Sequence, residues 1–85
     1  MEWVLKQHYI DITRDLLYYY EAVNGTRACR IWLGTKNDKR STCWLQFNRL
    51  EDDGKYYSDL VKEDIVCIRY WEAKRIAERW LAKGE

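Results

Sequence analysis

The run Leu16-Leu17-Tyr18-Tyr19-Tyr20-Glu21-Ala22-Val23-Asn24-Gly25-Thr26-Arg27-Ala28-Cys29-Arg30-Ile31-Trp32-Leu33 decides the fold class. Asn-Gly between two β-prone runs is the strongest short-range hairpin cue, because both central residues of a type I′ turn take positive φ. A two-residue turn at Asn24-Gly25 sets Tyr20 opposite Cys29, Tyr18 opposite Ile31 and Leu16 opposite Leu33, three apolar pairs on one face. The other face receives Tyr19 with Arg30, Leu17 with Trp32 and Glu21 with Ala28, a mixed set that suits a partly wet surface. One side of the hairpin is core and the other is not.

Beyond the hairpin, residues 35–41 are polar, carry Lys36, Lys39 and Arg40, and read as a loop. Residues 42–48 alternate cleanly, with Cys43, Leu45 and Phe47 inward and Trp44 and Gln46 outward, which predicts a third strand. Residues 3–12 are β-prone, but Val4, Ile10 and Ile12 share their parity with Lys6 and His8, so an edge strand with a bulge is expected. Residues 49–59 turn acidic at Glu51-Asp52-Asp53-Gly54 and read as a loop. From Trp71 to Lys83, the positions Ala73, Ile76, Ala77, Trp80 and Leu81 form a helical stripe, with Gly84 as its terminator. Trp80 and Ile76 are expected beneath the sheet. Residues 58–70 are open between strand and helix, a short strand or break before Trp71 fitting slightly better. Which sheet face the helix covers is also open. The expectation is one α+β domain over residues 1–85, an antiparallel sheet of three to five strands packed on a C-terminal helix.

Composition narrows the function classes. The 85 residues are 47% hydrophobic with five Trp and seven Tyr, too apolar and aromatic for a disordered chain. Fifteen basic against fourteen acidic residues leave a formal net charge of +1, so no overall bias points to nucleic acid or an anionic membrane. The distribution is uneven. Residues 24–50 carry six basic side chains against Asp38 alone, a local +5, whereas residues 51–64 carry six acids against Lys55 and Lys62, a local −4. No apolar run is long enough for a signal sequence or a membrane span, and Cys29, Cys43 and Cys67 form no Cys-x-x-Cys pair. Reduced thiols and a cytoplasmic location are expected. Asn24-Gly25-Thr26 fits a glycosylation pattern but is more simply a turn.

Catalytic and cofactor signals are absent from the pattern. His8 is the single histidine and stands at no ligand spacing to a second His or a Cys pair. A Cys–His dyad would have to use thiols that lie mostly on the core face, where they pack inertly. The four glycines are isolated and cradle no phosphate. We therefore expect no enzyme, no metal, no cofactor and no small-molecule substrate, but a binding protein with a protein partner, self-association included. Trp, Tyr and Arg are the residue types that anchor interfaces, and Tyr19, Arg30, Trp32 and Trp44 share the second sheet face. The alternative is a nucleic-acid module in which Lys36, Lys39 and Arg40 contact phosphate beside that aromatic face.

Two resemblances bear on these alternatives. Arg30-Ile31-Trp32-Leu33-Gly34-Thr35 resembles the third-strand stretch of plant AP2-type DNA-binding domains, three-stranded sheets packed on a helix. In that family a helix follows directly, whereas here a basic loop and another strand are expected, so the assignment is not carried over. In size, aromatic richness and lack of motif, the chain is also similar to small phage-encoded inhibitors, including anti-CRISPR proteins. That likeness is compositional and implies action by occupying a partner's surface.

Overall fold

The computed structural model describes residues 1–83; Gly84, expected to end the helix, lies outside them. Six strands and one helix follow in order: β1 Val4–Ile10, β2 Asp15–Asn24, β3 Arg27–Gly34, β4 Thr42–Leu50, β5 Tyr56–Ser58, β6 Ile65–Arg69 and α1 Tyr70–Ala82. Strands β1 to β4 form an antiparallel meander, and β5 and β6 share the far edge of β4. The α+β expectation holds. The sheet has one strand more than expected because the three-residue β5 falls beside the acidic turn, in the segment read as loop. Residues 65–69 form a strand that passes into α1 with no intervening loop. After Gly34 the chain runs through a loop into β4 rather than into a helix, so the AP2-type order is not followed.

The hairpin forms, but not in the expected register. Asn24 pairs with Arg27, Ala22 with Cys29 and Tyr20 with Ile31, so the turn is Gly25-Thr26 and not Asn24-Gly25. Gly25 alone of the turn has positive φ, at 62°. Positive φ at the first central residue only is the pattern of a type II′ turn, which glycine accommodates without strain. Asn24 stays in the strand because its side chain is used elsewhere: Nδ2 donates to the Leu81 carbonyl at 2.7 Å. The pairing differs by two residues, which changes partners but leaves every side chain on its expected face. The expected bulge is displaced too. β1 pairs with β2 without interruption, whereas the β2–β3 ladder shifts between Tyr18 and Tyr19, where Leu33 is skipped.

One face of the sheet carries the core. Cys29, Ile31, Leu33, Cys43, Leu45 and Phe47 pack against Tyr70, Ala73, Ala77 and Leu81 of α1. The small side chains at 73 and 77 let the helix lie close to the sheet, while Ile76 and Trp80 are half-buried at its flank rather than fully covered. Trp80 meets Phe47 edge-on, with ring centroids 5.0 Å apart.

The helix ends against the hairpin. Its last carbonyls have no helical partner. Asn24 takes the Leu81 carbonyl, and Arg27 Nη1 donates to that of Trp80 at 2.9 Å while its guanidinium lies 4.5 Å from the Trp80 ring centroid. At the other side of the helix Trp3 Nε1 donates to Glu78 at 2.8 Å. Replacing Asn24 or Arg27 by alanine is expected to cost about 1 kcal/mol each, the loss of one side-chain hydrogen bond to a carbonyl that otherwise relies on the Lys83 N–H. Leu81→Ala, which leaves a cavity under the sheet, is expected to cost about 2–5 kcal/mol. Urea unfolding midpoints at constant m-value check both; unchanged stability in Asn24→Ala would place the helix end elsewhere.

Candidate functional site

Strand pleating sends alternate side chains away from the helix. On this second face Lys6 and His8 of β1, Leu17, Tyr19 and Glu21 of β2, Arg30 and Trp32 of β3, and Trp44 and Gln46 of β4 lie side by side. Tyr19 is directly opposite Trp32, and Trp32 directly opposite Trp44, so three aromatic residues form one row across adjacent strands. Tyr19 stacks on Trp32 with centroids 4.3 Å apart, Trp44 lies 6.1 Å beyond, and His8 meets Trp32 edge-on at 6.0 Å. Both indole N–H groups are already used: Trp32 donates to Gln46 Oε1 and Trp44 to Asp64 Oδ2, each at 3.0 Å. Contact with another molecule therefore falls to the ring faces. Trp44 is the most open of the row, at 41% exposure, while Tyr19 and Trp32 are half-buried against each other.

A polar row runs beside the aromatic one. Glu21 is nearly covered and accepts from Lys6 Nζ at 2.6 Å and from Arg30 Nε at 2.8 Å. Arg30 also lies 5.5 Å from the Tyr19 ring centroid, so its charge is fixed next to the aromatic row. Burial penalises the Glu21 carboxylate, but the hydrogen bonds from Lys6 and Arg30 more than offset it and hold the pKa below its ordinary 4.5.

The end of this face opens into a groove of about 540 Å³ lined by His8, Leu17, Trp32, Gly34, Trp44 and Cys67, among others. Two irregularities shape it. The β2–β3 shift puts Gly34 at φ 86°, with open space where a side chain would stand, and a second shift between Cys43 and Leu45 accompanies Cys67 at φ 56°. Bulges re-aim side chains and open gaps in this way. Cys67 and His8 thus line one groove, whose floor the buried Cys43 also reaches, while Cys29 and Cys43 are both buried as expected. Burial pushes the Cys29 thiol up to about 12, which leaves it unreactive. No group of three potential metal-ligating side chains gathers among the described residues, and no helix there is long and apolar enough to cross a membrane.

Of the residues singled out from sequence, Tyr19, Arg30, Trp32 and Trp44 do share one surface. Of the basic loop residues Lys36, Lys39 and Arg40, Lys39 points away from that surface. Lys39 turns toward the helix side, its Nζ 4.8 Å from the Tyr20 ring, 4.9 Å from Tyr70 and 5.5 Å from Trp71. Arg40 pairs with Asp38 at 3.3 Å, and Lys36 is exposed. Sequence reading passed over His8, Leu17, Gly34 and Cys67 as a group. Parity puts the first two on this face, but Gly34 and Cys67 join it only through the two bulges. No protein-family model matches the chain, and neither a curated protein nor a solved structure matches it significantly.

The lowered pKa of Glu21 has a defined consequence for stability. Its contribution is intact above its unfolded value near 4.5 and is lost as pH falls through the lower folded value. Glu21→Gln is therefore expected to be less stable than the parent chain by about 1 kcal/mol at neutral pH, solvent screening of the partly exposed Lys6 included. The gap should close in acid. Thermal melts from pH 7 down to 3 check this, and a gap that stays constant across the series contradicts it.

Proposed function

We propose that the chain is a small, non-enzymatic binding protein that occupies a surface of a protein partner with the sheet face its helix leaves uncovered. The observation that carries this is the aromatic row Tyr19, Trp32 and Trp44, in contact across three adjacent strands and flanked by an immobilised arginine. Rings already locked against one another lose little side-chain freedom on binding, so more of their contact energy appears as affinity. Trp44 is the anchor, the groove beside it accepts an apolar side chain of the partner, and Arg30 sets orientation. Such a face suits an inhibitor that acts by occlusion, the mode implied by the compositional likeness to anti-CRISPR proteins. Three unpaired thiols suit the reducing cytoplasm.

The nucleic-acid alternative has Lys36, Lys39 and Arg40 contact phosphate beside the stacking platform, whereas Lys39 lies on the other side of the sheet and the basic groups beside the rings, Lys6 and Arg30, are paired with Glu21. Immobilised wild-type chain should retain a protein from an extract of its source cells with or without nuclease. Trp44→Ala should lower that affinity by at least ~2 kcal/mol, mainly through a faster off-rate. Titration of fluorescent single-stranded and duplex oligonucleotides tests the rival reading. Submicromolar binding with a salt slope near −2 to −3, lost when Lys36, Lys39 and Arg40 are all alanine, would install the nucleic-acid reading instead.

A further inference from the structure

The two edges of the sheet are treated differently. On the far edge of β4, β5 covers one half and β6 the other, with a register shift at Cys43/Leu45, so no long row of unpaired backbone groups remains there. The near edge is β1, seven residues in unbroken register with β2 and exposed along nearly its whole length. None of the usual guards protects it. The chain has no proline, β1 has no bulge, and its one formal charge, Lys6, is drawn to Glu21 of β2. A long, flat edge without such guards is a template for another strand. Val4, Leu5 and Tyr9 are 41–53% exposed on it.

We infer that β1 pairs antiparallel with β1 of a second copy, across a twofold axis at Gln7, to form one continuous sheet. The strand Val4-Leu5-Lys6-Gln7-His8-Tyr9-Ile10 fits itself in this register. Residues directly opposite in an antiparallel pair share a face, so only registers that pair positions of equal parity are allowed. With Gln7 opposite Gln7, all seven residues are paired. Leu5 then meets Tyr9 on the helix side, and Val4 meets Ile10 and Lys6 meets His8 on the aromatic side. Sliding by two residues one way puts Lys6 against Lys6, and the other way leaves Val4 and Leu5 unpaired. Apolar cross-strand pairs stabilise, and like charges directly opposite destabilise. Because the contact is edge to edge, it leaves Tyr19, Trp32 and Trp44 uncovered and stands independently of their proposed role. An interface of one strand edge is small, so the dimer is of the weak, reversible class.

Sedimentation equilibrium of the full chain tests the inference. The weight-average mass should rise from monomer toward dimer as concentration increases from a few to about 500 μM. The double variant L5K/Y9K sets lysines opposite each other twice and should weaken association by at least about tenfold. L5K/Y9E sets opposite charges in the same places and should restore it to within a few-fold of wild type. Near-UV circular dichroism confirms that each variant is folded. A wild-type chain that stays monomeric throughout overturns the inference. So does equal association of the two doubles, or a dimer that survives L5K/Y9K and is lost with Trp44→Ala, which would move the contact to the aromatic face.

Discussion

The C-terminal carbonyls of a helix packed on a sheet must find donors, and here the tip of the β2–β3 hairpin adds two side-chain donors to the Lys83 N–H. Asn24 and Arg27 stand directly opposite each other across that hairpin, and both reach α1, to the carbonyls of Leu81 and Trp80. This arrangement requires the Gly25-Thr26 turn, because a turn one residue earlier would take Asn24 out of the strand. The neighbourhood is tied in further: Tyr56 donates its hydroxyl to the Gly25 carbonyl, and Leu50 N–H donates to Thr26. Register of the β2–β3 hairpin and position of the helix end are thus tied together at one place. Once α1 is fixed over Cys29, Ile31, Leu45 and Phe47, no further strand or helix among the described residues covers the opposite side of the same strands.

The consequence is a sheet with two unlike faces. The covered face is packed solid beneath the helix by Ile31, Leu45, Phe47, Tyr70 and small residues, with thiols that burial makes inert. The open face is aromatic and pre-arranged, its indole N–H groups satisfied internally and its central charge cluster closed by Glu21. A surface of this kind offers ring faces and a groove, with its indole donors already in use. In the basic loop between β3 and β4, Lys39 serves the other side. Lys39 sits among Tyr20, Tyr70 and Trp71, holding the loop over the start of the helix, and cation–aromatic contact of this kind contributes modest stability.

Face assignment was legible in the sequence because pleat parity survives a two-residue slip: Tyr19, Arg30, Trp32 and Trp44 fall on one side in either register. The register itself was not, since the preference of Asn-Gly for a type I′ turn is local, whereas the bond that keeps Asn24 in the strand is made to Leu81 at the far end of the chain. Residues 65–70 mixed two periods because β6 becomes α1 without a loop. The helix stripe was read correctly at Ala73, Ala77 and Leu81, but Ile76 and Trp80 sit at its flank. Charge at Lys36, Lys39 and Arg40 looked like one patch until folding gathered three rings from distant segments around Lys39. The groove depends on two bulges and on Cys67 in a backbone conformation rare for cysteine, none of which periodicity reveals.

The claim that the uncovered aromatic face is the working surface is tested most directly by site-specific photocrosslinking. A benzophenone amino acid replaces either Trp44, 41% exposed on the open face, or Trp71, 64% exposed on the helix side. Each variant is irradiated in a nuclease-treated extract of the source cells. The account predicts a discrete protein adduct from position 44 and none from position 71, despite the greater exposure of the latter. An adduct from position 71 alone would contradict it and shift the working surface to the helix.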